Sequence, residues 1–328
     1  MPADPRTCAA CPVTVVERAV DPHRQGAVWD SDTVASLYRS AEAHQRIRDW
    51  CATRISQWPT VHRTAEISTR AGPTHLVVAN EDAQRPLGAP AVVLLPGTNF
   101  NAATSLVLAT ELARHWTTYL LDVPGQPGLS GPDRPSRHRL AFYGRWLGEV
   151  LDHAVGRPAI LVGHSLGGGI ALACDSPLIT GRVLISPAGL ARLSVSRRLL
   201  SATLPWLLRP TDTRSTRLLR MMSGPRGTPG PELAAWMTLV AGNCRSSLAP
   251  APLPPSAFAQ ARNAAVNLVA TGEHDIFLPP SRLRAPTARD LHTRVHVLPG
   301  TGHLATEEAP QSISTLVAEA VRRGATGP

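Results

Sequence analysis

The chain contains no lysine. All 33 of its basic residues are arginines, set against 24 acids for a formal net charge of +9. A basic excess suits nucleic acid or an anionic surface. Here the arginines are spread along most of the chain, and no basic motif interleaved with aromatics appears. The excess reads as arginine-biased coding of a GC-rich genome, and no nucleic-acid partner is expected. Cysteine is scarce and odd in number: Cys8, Cys11, Cys51, Cys174 and Cys244. That excludes a disulfide framework. Cys8 and Cys11 form one Cys-x-x-Cys in a tail rich in Pro and Ala. No second such pair and no paired-His motif completes a zinc site, so these read as free thiols and no metal is expected. No apolar run approaches the ~20 residues that span a bilayer, so no stable membrane insertion is expected. The first residues also lack a charged region followed by an apolar one, so no secretory signal is read. The expectation is a soluble protein of a reducing compartment, placed in the cytoplasm, with no cofactor. The oligomeric state is not legible.

What is present is a rhythm of short apolar runs. Residues 91–95, 117–122, 158–162, 182–186, 267–271 and 294–298 are mostly continuous rather than alternating, as expected of strands buried on both faces of a parallel sheet. Helical patterns lie between several of them. Leu140, Tyr143, Trp146, Leu147, Val150 and Leu151 share one face. So do Ile313, Leu316, Val317, Ala320 and Val321 of a final helix, with Glu307 and Glu308 near its start. Ahead of this array, apolar spacing from Ser31 to Trp58 predicts a helix capped by Ser31 or Asp32 and stopped at Pro59. Residues 60–69 and 74–79 predict a hairpin turning at Ala71-Gly72-Pro73. Strand and helix in repetition mean an α/β fold. About eighty residues between the fourth and fifth runs break the rhythm and are too long for a loop. The expected organisation is an irregular tail over 1–29, core over 30–187, a helical cap over 188–263 and the last part of the core over 264–328.

The third run ends in Gly163-His164-Ser165-Leu166-Gly167-Gly168. A serine hydroxyl needs exposure, positioning and a neighbouring base to act as a nucleophile. A sharp strand-to-helix turn gives the exposure, and the glycines let backbone pass close by. The partners are sought just past other strands, where open sheets collect chemistry. Gly272-Glu273-His274-Asp275 follows the fifth run, and Gly300-Thr301-Gly302-His303 the sixth. His303 is placed as the base and Asp275 as its orienting acid, with Glu273 a rival carboxylate. His164, His274 and His296 read as structural. An oxyanion hole needs the N–H of Leu166 and one from Pro96-Gly97-Thr98-Asn99, with Thr98 the first choice and Asn99 the second.

These motifs, with Asp122-Val123-Pro124-Gly125-Gln126-Pro127-Gly128-Leu129-Ser130, make the chain resemble a serine α/β-hydrolase over residues 60 to 323. More narrowly it resembles bacterial carboxylesterase-like members, through Leu37-Tyr38-Arg39-Ser40 and Ser186-Pro187-Ala188-Gly189. It departs at Pro96, where many members carry His. The resemblance implies an α/β-hydrolase fold, with a mostly parallel central sheet flanked by helices and an inserted helical cap. It implies hydrolysis of a carboxylic ester of a small or medium-sized molecule through an acyl-serine. A thioesterase or acyltransferase would use the same triad, and a non-catalytic binding protein would keep only the fold. Asn99, Trp206 and Met221 are candidate substrate contacts. Between Ala188 and Pro231 eight arginines face a single acid, Asp212, among Trp206, Leu207, Leu208, Met221 and Met222. That run is either a solvated face or a lid with an apolar inner side and a basic side toward an anionic group or surface.

Overall fold

The computed structural model describes residues 34–81, 89–194, 196–245, 252–264 and 266–325. Cys8, Cys11 and the tail over 1–29 lie outside them. The first part of the chain runs β1 (Val34–Ser36), α1 (Ala41–Ser56), β2 (His62–Thr69), β3 (Gly72–Ala79), β4 (Ala91–Leu95), α2 (Leu106–Ala113) and β5 (Thr118–Leu121). It continues with β6 (Asp133–Pro135), α3 (Arg139–Val150), β7 (Ala159–His164), α4 (Leu166–Ala173) and β8 (Ile179–Ile185). Four helices follow: α5 (Arg197–Leu208), α6 (Asp212–Met222), α7 (Pro231–Asn243) and α8 (Pro255–Ala264). The last part is β9 (Val266–Gly272), α9 (Pro280–Leu291), β10 (Val295–Leu298), α10 (Ala305–Glu308) and α11 (Pro310–Ala325).

Eight strands form one sheet in the order β10-β9-β8-β7-β4-β5-β3-β2. From β10 to β5 every neighbouring pair is parallel, while β3 and β2 add an antiparallel hairpin at one edge. The continuous apolar runs have their reason in burial: every residue of β4, β5 and β7 is buried. Val92, Leu94, Ile160 and Val162 face one layer with Leu108 and Leu112 of α2 and Ile313 and Val317 of α11. Val93, Leu95 and Leu161 face the other with Tyr143, Trp146 and Leu147 of α3 and Leu283 of α9. Each such aliphatic side chain contributes about 1.5–3 kcal/mol on leaving water.

Three elements differ from their sequence expectation. The first helix begins at Ala41, where Ser40 Oγ accepts the Ala43 N–H, rather than at Ser31 or Asp32. Leu37 and Tyr38 are buried outside any helix, in a segment stitched to the core through its backbone. The Leu37 N–H donates to Pro132 O, and Tyr38 bridges Cys244. The third helix is α-helical only to Val150 and closes with a wider π turn to Val155, ended by Gly156 at φ 62°. The last helix is split before Pro310, so Glu307 and Glu308 belong to the short α10.

In the interval 188–263, α5, α6 and α7 pack on one another, and α7 also packs on α1. By contrast, α8 packs against α4 and α9, with Phe258 and Ala261 in the core layer of α3 and α4. No described helix is long and apolar enough to cross a membrane.

Candidate active site

The sheet reverses its winding at β4, which has β5 on one side and β7 on the other. Crevices at such switch points are where open α/β sheets place their ligands. Leu95 at the end of β4 pairs with Gly163 near the end of β7. The loop Pro96–Asn99 therefore emerges beside the turn that carries Ser165. That turn is tight. Ser165 sits at φ 50°, ψ −110°, a conformation that costs a non-glycine residue free energy and persists only where its surroundings hold it. A Cβ on Gly163 would lie 2.5 Å from the Gly167 carbonyl oxygen, and one on Gly167 would collide with Leu95 backbone. Glycine at both positions is thus a steric requirement of the turn. The Ser165 carbonyl accepts N–H bonds from Gly169 and Ala188, which hold the strained residue in place.

His303 follows β10 and is buried. Its Nδ1 lies 2.8 Å from Asp275 Oδ2. The other carboxylate oxygen of Asp275 accepts the N–H groups of Phe277 and Leu278, both at 2.8 Å. Burial pushes the Asp275 carboxyl up, but the His303 charge and these hydrogen bonds outweigh it and hold the group well below the usual carboxylate range. Glu273 is elsewhere: exposed, accepting the Gly300 N–H and lying near His274.

The His303 loop is tied to the cap. The His303 and Leu304 N–H groups both reach the carbonyl of Met222 at the end of α6. Glu308 spans the same junction, one oxygen accepting the Gly224 N–H and the other the Gly302 N–H, each at 2.7 Å. His164 closes the arrangement from below, its Nε2 lying 2.8 Å from the His303 carbonyl oxygen. A carbonyl only accepts, so the Nε2 carries the proton. Burial, then the like charge of His303, pushes His164 down to about 3, so it is a neutral strut.

The loop after β4 is pinned on both sides of one residue. Asn99 has φ 67°; its N–H donates to Gln126 Oε1, and its carbonyl accepts the Trp236 indole N–H at 2.8 Å. The backbone N–H of Asn99 is therefore already engaged and is not the one offered to an oxyanion. The loop carrying Gln126 is fixed by Asp122, whose carboxylate accepts the Ala102 and Leu129 N–H groups.

Thr98, Asn99, Ser165 and His303 line a common cavity of about 410 Å³. Its remaining wall is largely apolar and includes Leu199, Trp206, Leu218, Met222, Met237 and Val240. Trp206 thus lines this cavity. Met221 does not: it lines a separate outer groove with Arg217 and Arg220. Successive residues of a helix point about 100° apart, so only one of the Met221-Met222 pair faces inward, and it is Met222. Arg217 and Arg220 likewise stand outside the cavity. Trp236, Gln126 and Glu308 were not singled out from the sequence as site residues. Gln126 lies within the 122–130 motif, but nothing local assigns it this contact, and no local motif marks Trp236 or Glu308, because each acts through a contact distant in the chain. Among the described residues, no group of three or more His, Cys, Asp or Glu could hold a metal ion.

Residues 92–314 match the Alpha/beta hydrolase family. The chain belongs to that family. In Bacillus subtilis (strain 168), a protein named uncharacterized carboxylesterase nap is 32% identical over 114 residues, 35% of this chain and 36% of that one. Carboxylesterase YbfK of the same organism is 31% identical over 114 residues, again 35% and 36%. The chain thus matches about a third of the length of these relatives. The solved naproxen esterase (carboxylesterase NP) of Bacillus subtilis superposes with a TM-score of 0.68 at 20% identity, over 86% of this chain and 99% of that chain. The α/β-hydrolase fold extends well beyond the stretch of sequence similarity.

Proposed function

We propose that the protein hydrolyses carboxylic esters of small or medium-sized molecules through an acyl-serine intermediate. The observation that carries this reading is the common cavity: Ser165 on its strained turn and His303, with Nδ1 held by Asp275, share one largely apolar pocket. With Nδ1 occupied, Nε2 of His303 is the nitrogen left to take the Ser165 proton. Ser165 Oγ attacks the ester carbonyl, and His303 then protonates the departing alcohol. Water, deprotonated by the same His303, attacks the acyl carbon and releases the acid and free Ser165. The N–H groups of Leu166 and Thr98 receive the negative charge that develops on the carbonyl oxygen, and α4 begins at Leu166 with its positive dipole end at the reacting centre. The carboxylesterase names of the Bacillus relatives support an ester as substrate. The apolar wall fits an uncharged acyl or alcohol group.

The test is turnover of p-nitrophenyl esters from acetate to long chain, with and without Ser165→Ala. Short and medium chains are expected to be turned over, and Ser165→Ala to lower kcat by several orders of magnitude with folding unchanged. A fluorophosphonate should label Ser165. Labelling at another serine, or full turnover by the variant, overturns the assignment.

A further inference from the structure

The cap carries an apolar stripe that faces away from the protein. On α5, Leu200, Leu204 and Leu208 are 44%, 54% and 84% exposed. They recur every four residues and so form one row along the helix. The inner face of the same helix is filled by Leu199, Ala202 and Trp206. Leu200 belongs to both environments, since it also lines the Ser165 cavity. The stripe therefore begins at the rim of the candidate active site.

Its surroundings are basic. Arg197 stands on the face of Leu204 and Leu208, seven and eleven residues before them, and Arg209 follows the helix. Arg198 lines the outer groove with Arg217 and Arg220 of α6. Arg197, Arg198, Arg217 and Arg220 make no ion pair with any described residue, and Asp212 is the one acid in that groove. Apolar side chains rimmed by arginine mark an interfacial surface: leucines enter the acyl boundary while guanidinium groups meet phosphates.

We propose that the outer face of α5, with the arginines of α5 and α6, docks the protein on an anionic phospholipid bilayer and turns the rim of the cavity toward it. Charge selects this occupant. A second copy would oppose the same arginines to themselves, whereas an anionic leaflet complements them. The docking is peripheral, needs no membrane-crossing helix and stands apart from the hydrolytic reading.

The full-length chain is sedimented with vesicles of phosphatidylcholine alone and of phosphatidylcholine mixed with phosphatidylglycerol. Binding is expected to the mixed vesicles only and to fall as salt is raised, since each arginine near an anionic surface is worth about fivefold in partitioning. Leu204→Asp with Leu208→Asp should lower that binding at least about tenfold. Neither residue lines the cavity, so labelling by a fluorophosphonate and hydrolysis of a water-soluble ester should be unchanged. Arg197→Gln, Arg198→Gln, Arg217→Gln and Arg220→Gln together, all at exposed positions, should abolish the preference for anionic vesicles. Equal binding to both vesicle types, no binding to either, or wild-type binding by the leucine and arginine variants overturns the proposal. So does a wild-type dimer that the leucine substitutions dissociate, because a second copy would then cover the face.

Discussion

The hydrogen bonds around Asp275 decide what an amide would do in its place. Oδ1 accepts two backbone N–H groups, and Oδ2 faces His303 Nδ1. In Asp275→Asn the carbonyl oxygen must stay on the two N–H donors, which leaves the NH2 group against Nδ1. Nδ1 then has to accept, the ring proton moves to Nε2, and His303 can no longer take a proton from Ser165. A fall in kcat of about 10³–10⁴ at neutral pH is expected, with the fold retained. Glu273→Gln should change kcat less than about threefold, because Glu273 is exposed and contacts only Gly300 and His274. Steady-state kinetics on one activated ester separates the two, and the reverse ranking would move the orienting role to Glu273. Asp275 could be singled out in the sequence because chemistry collects just past strand ends. The choice of Asp275 over Glu273 needs coordinates, since both lie in the same four-residue stretch and only the turn geometry aims one of them at His303. The Met221-Met222 pair has the same limit: composition announces an apolar cap helix, but which neighbour faces inward depends on helix phase.

Among the elements, the strands were the most legible, because a strand buried on both faces must be a continuous apolar run. Boundaries failed where tertiary contacts bury residues that lie outside any helix. Leu37 and Tyr38 keep helical spacing yet are not helical, because the backbone of Leu37, Tyr38 and Arg39 joins the core loop at Pro132 to the end of α7 at Asn243 and Cys244. Glu308 was misplaced for a related reason. At the start of a helix a carboxylate reads as a dipole partner, whereas here it joins the His303 loop to the end of α6. Both of its oxygens accept, so Glu308→Gln must turn an NH2 toward the N–H of Gly224 or Gly302. An unmade buried bond of this kind costs about 1–3 kcal/mol. Urea unfolding should show that loss, and kcat should fall more than KM rises, because the base rather than the cavity wall is displaced. Unchanged kcat would leave Glu308 with no part in placing His303.

For the molecule as a whole, two carboxyl groups give opposite pH dependences. Asp275 is held low, so its contribution to stability is present above the unfolded carboxyl range and is lost as pH falls below about 4. Glu307 is the reverse case. It lies behind the turn that carries Ser165, beside Gly97, Phe100, His164 and Leu304. Burial raises it to about 7, against a lowering from Arg54. A raised acid favours folding while it is protonated. Its stabilisation is complete below the unfolded carboxyl range, declines as pH rises, and is gone above about 7. The change amounts to at most about 3 kcal/mol. The composition could not announce this, since nothing in Thr306-Glu307-Glu308 says which carboxylate is half-buried without a hydrogen-bond donor among the described residues and which finds two N–H donors. Glu307→Gln removes the charge that has to be buried at high pH and keeps the shape. The variant should match the wild type in denaturant midpoint at pH 5 and exceed it at pH 8. A gain of the same size at both values would mean that the substitution acts through packing and that Glu307 does not titrate across this range.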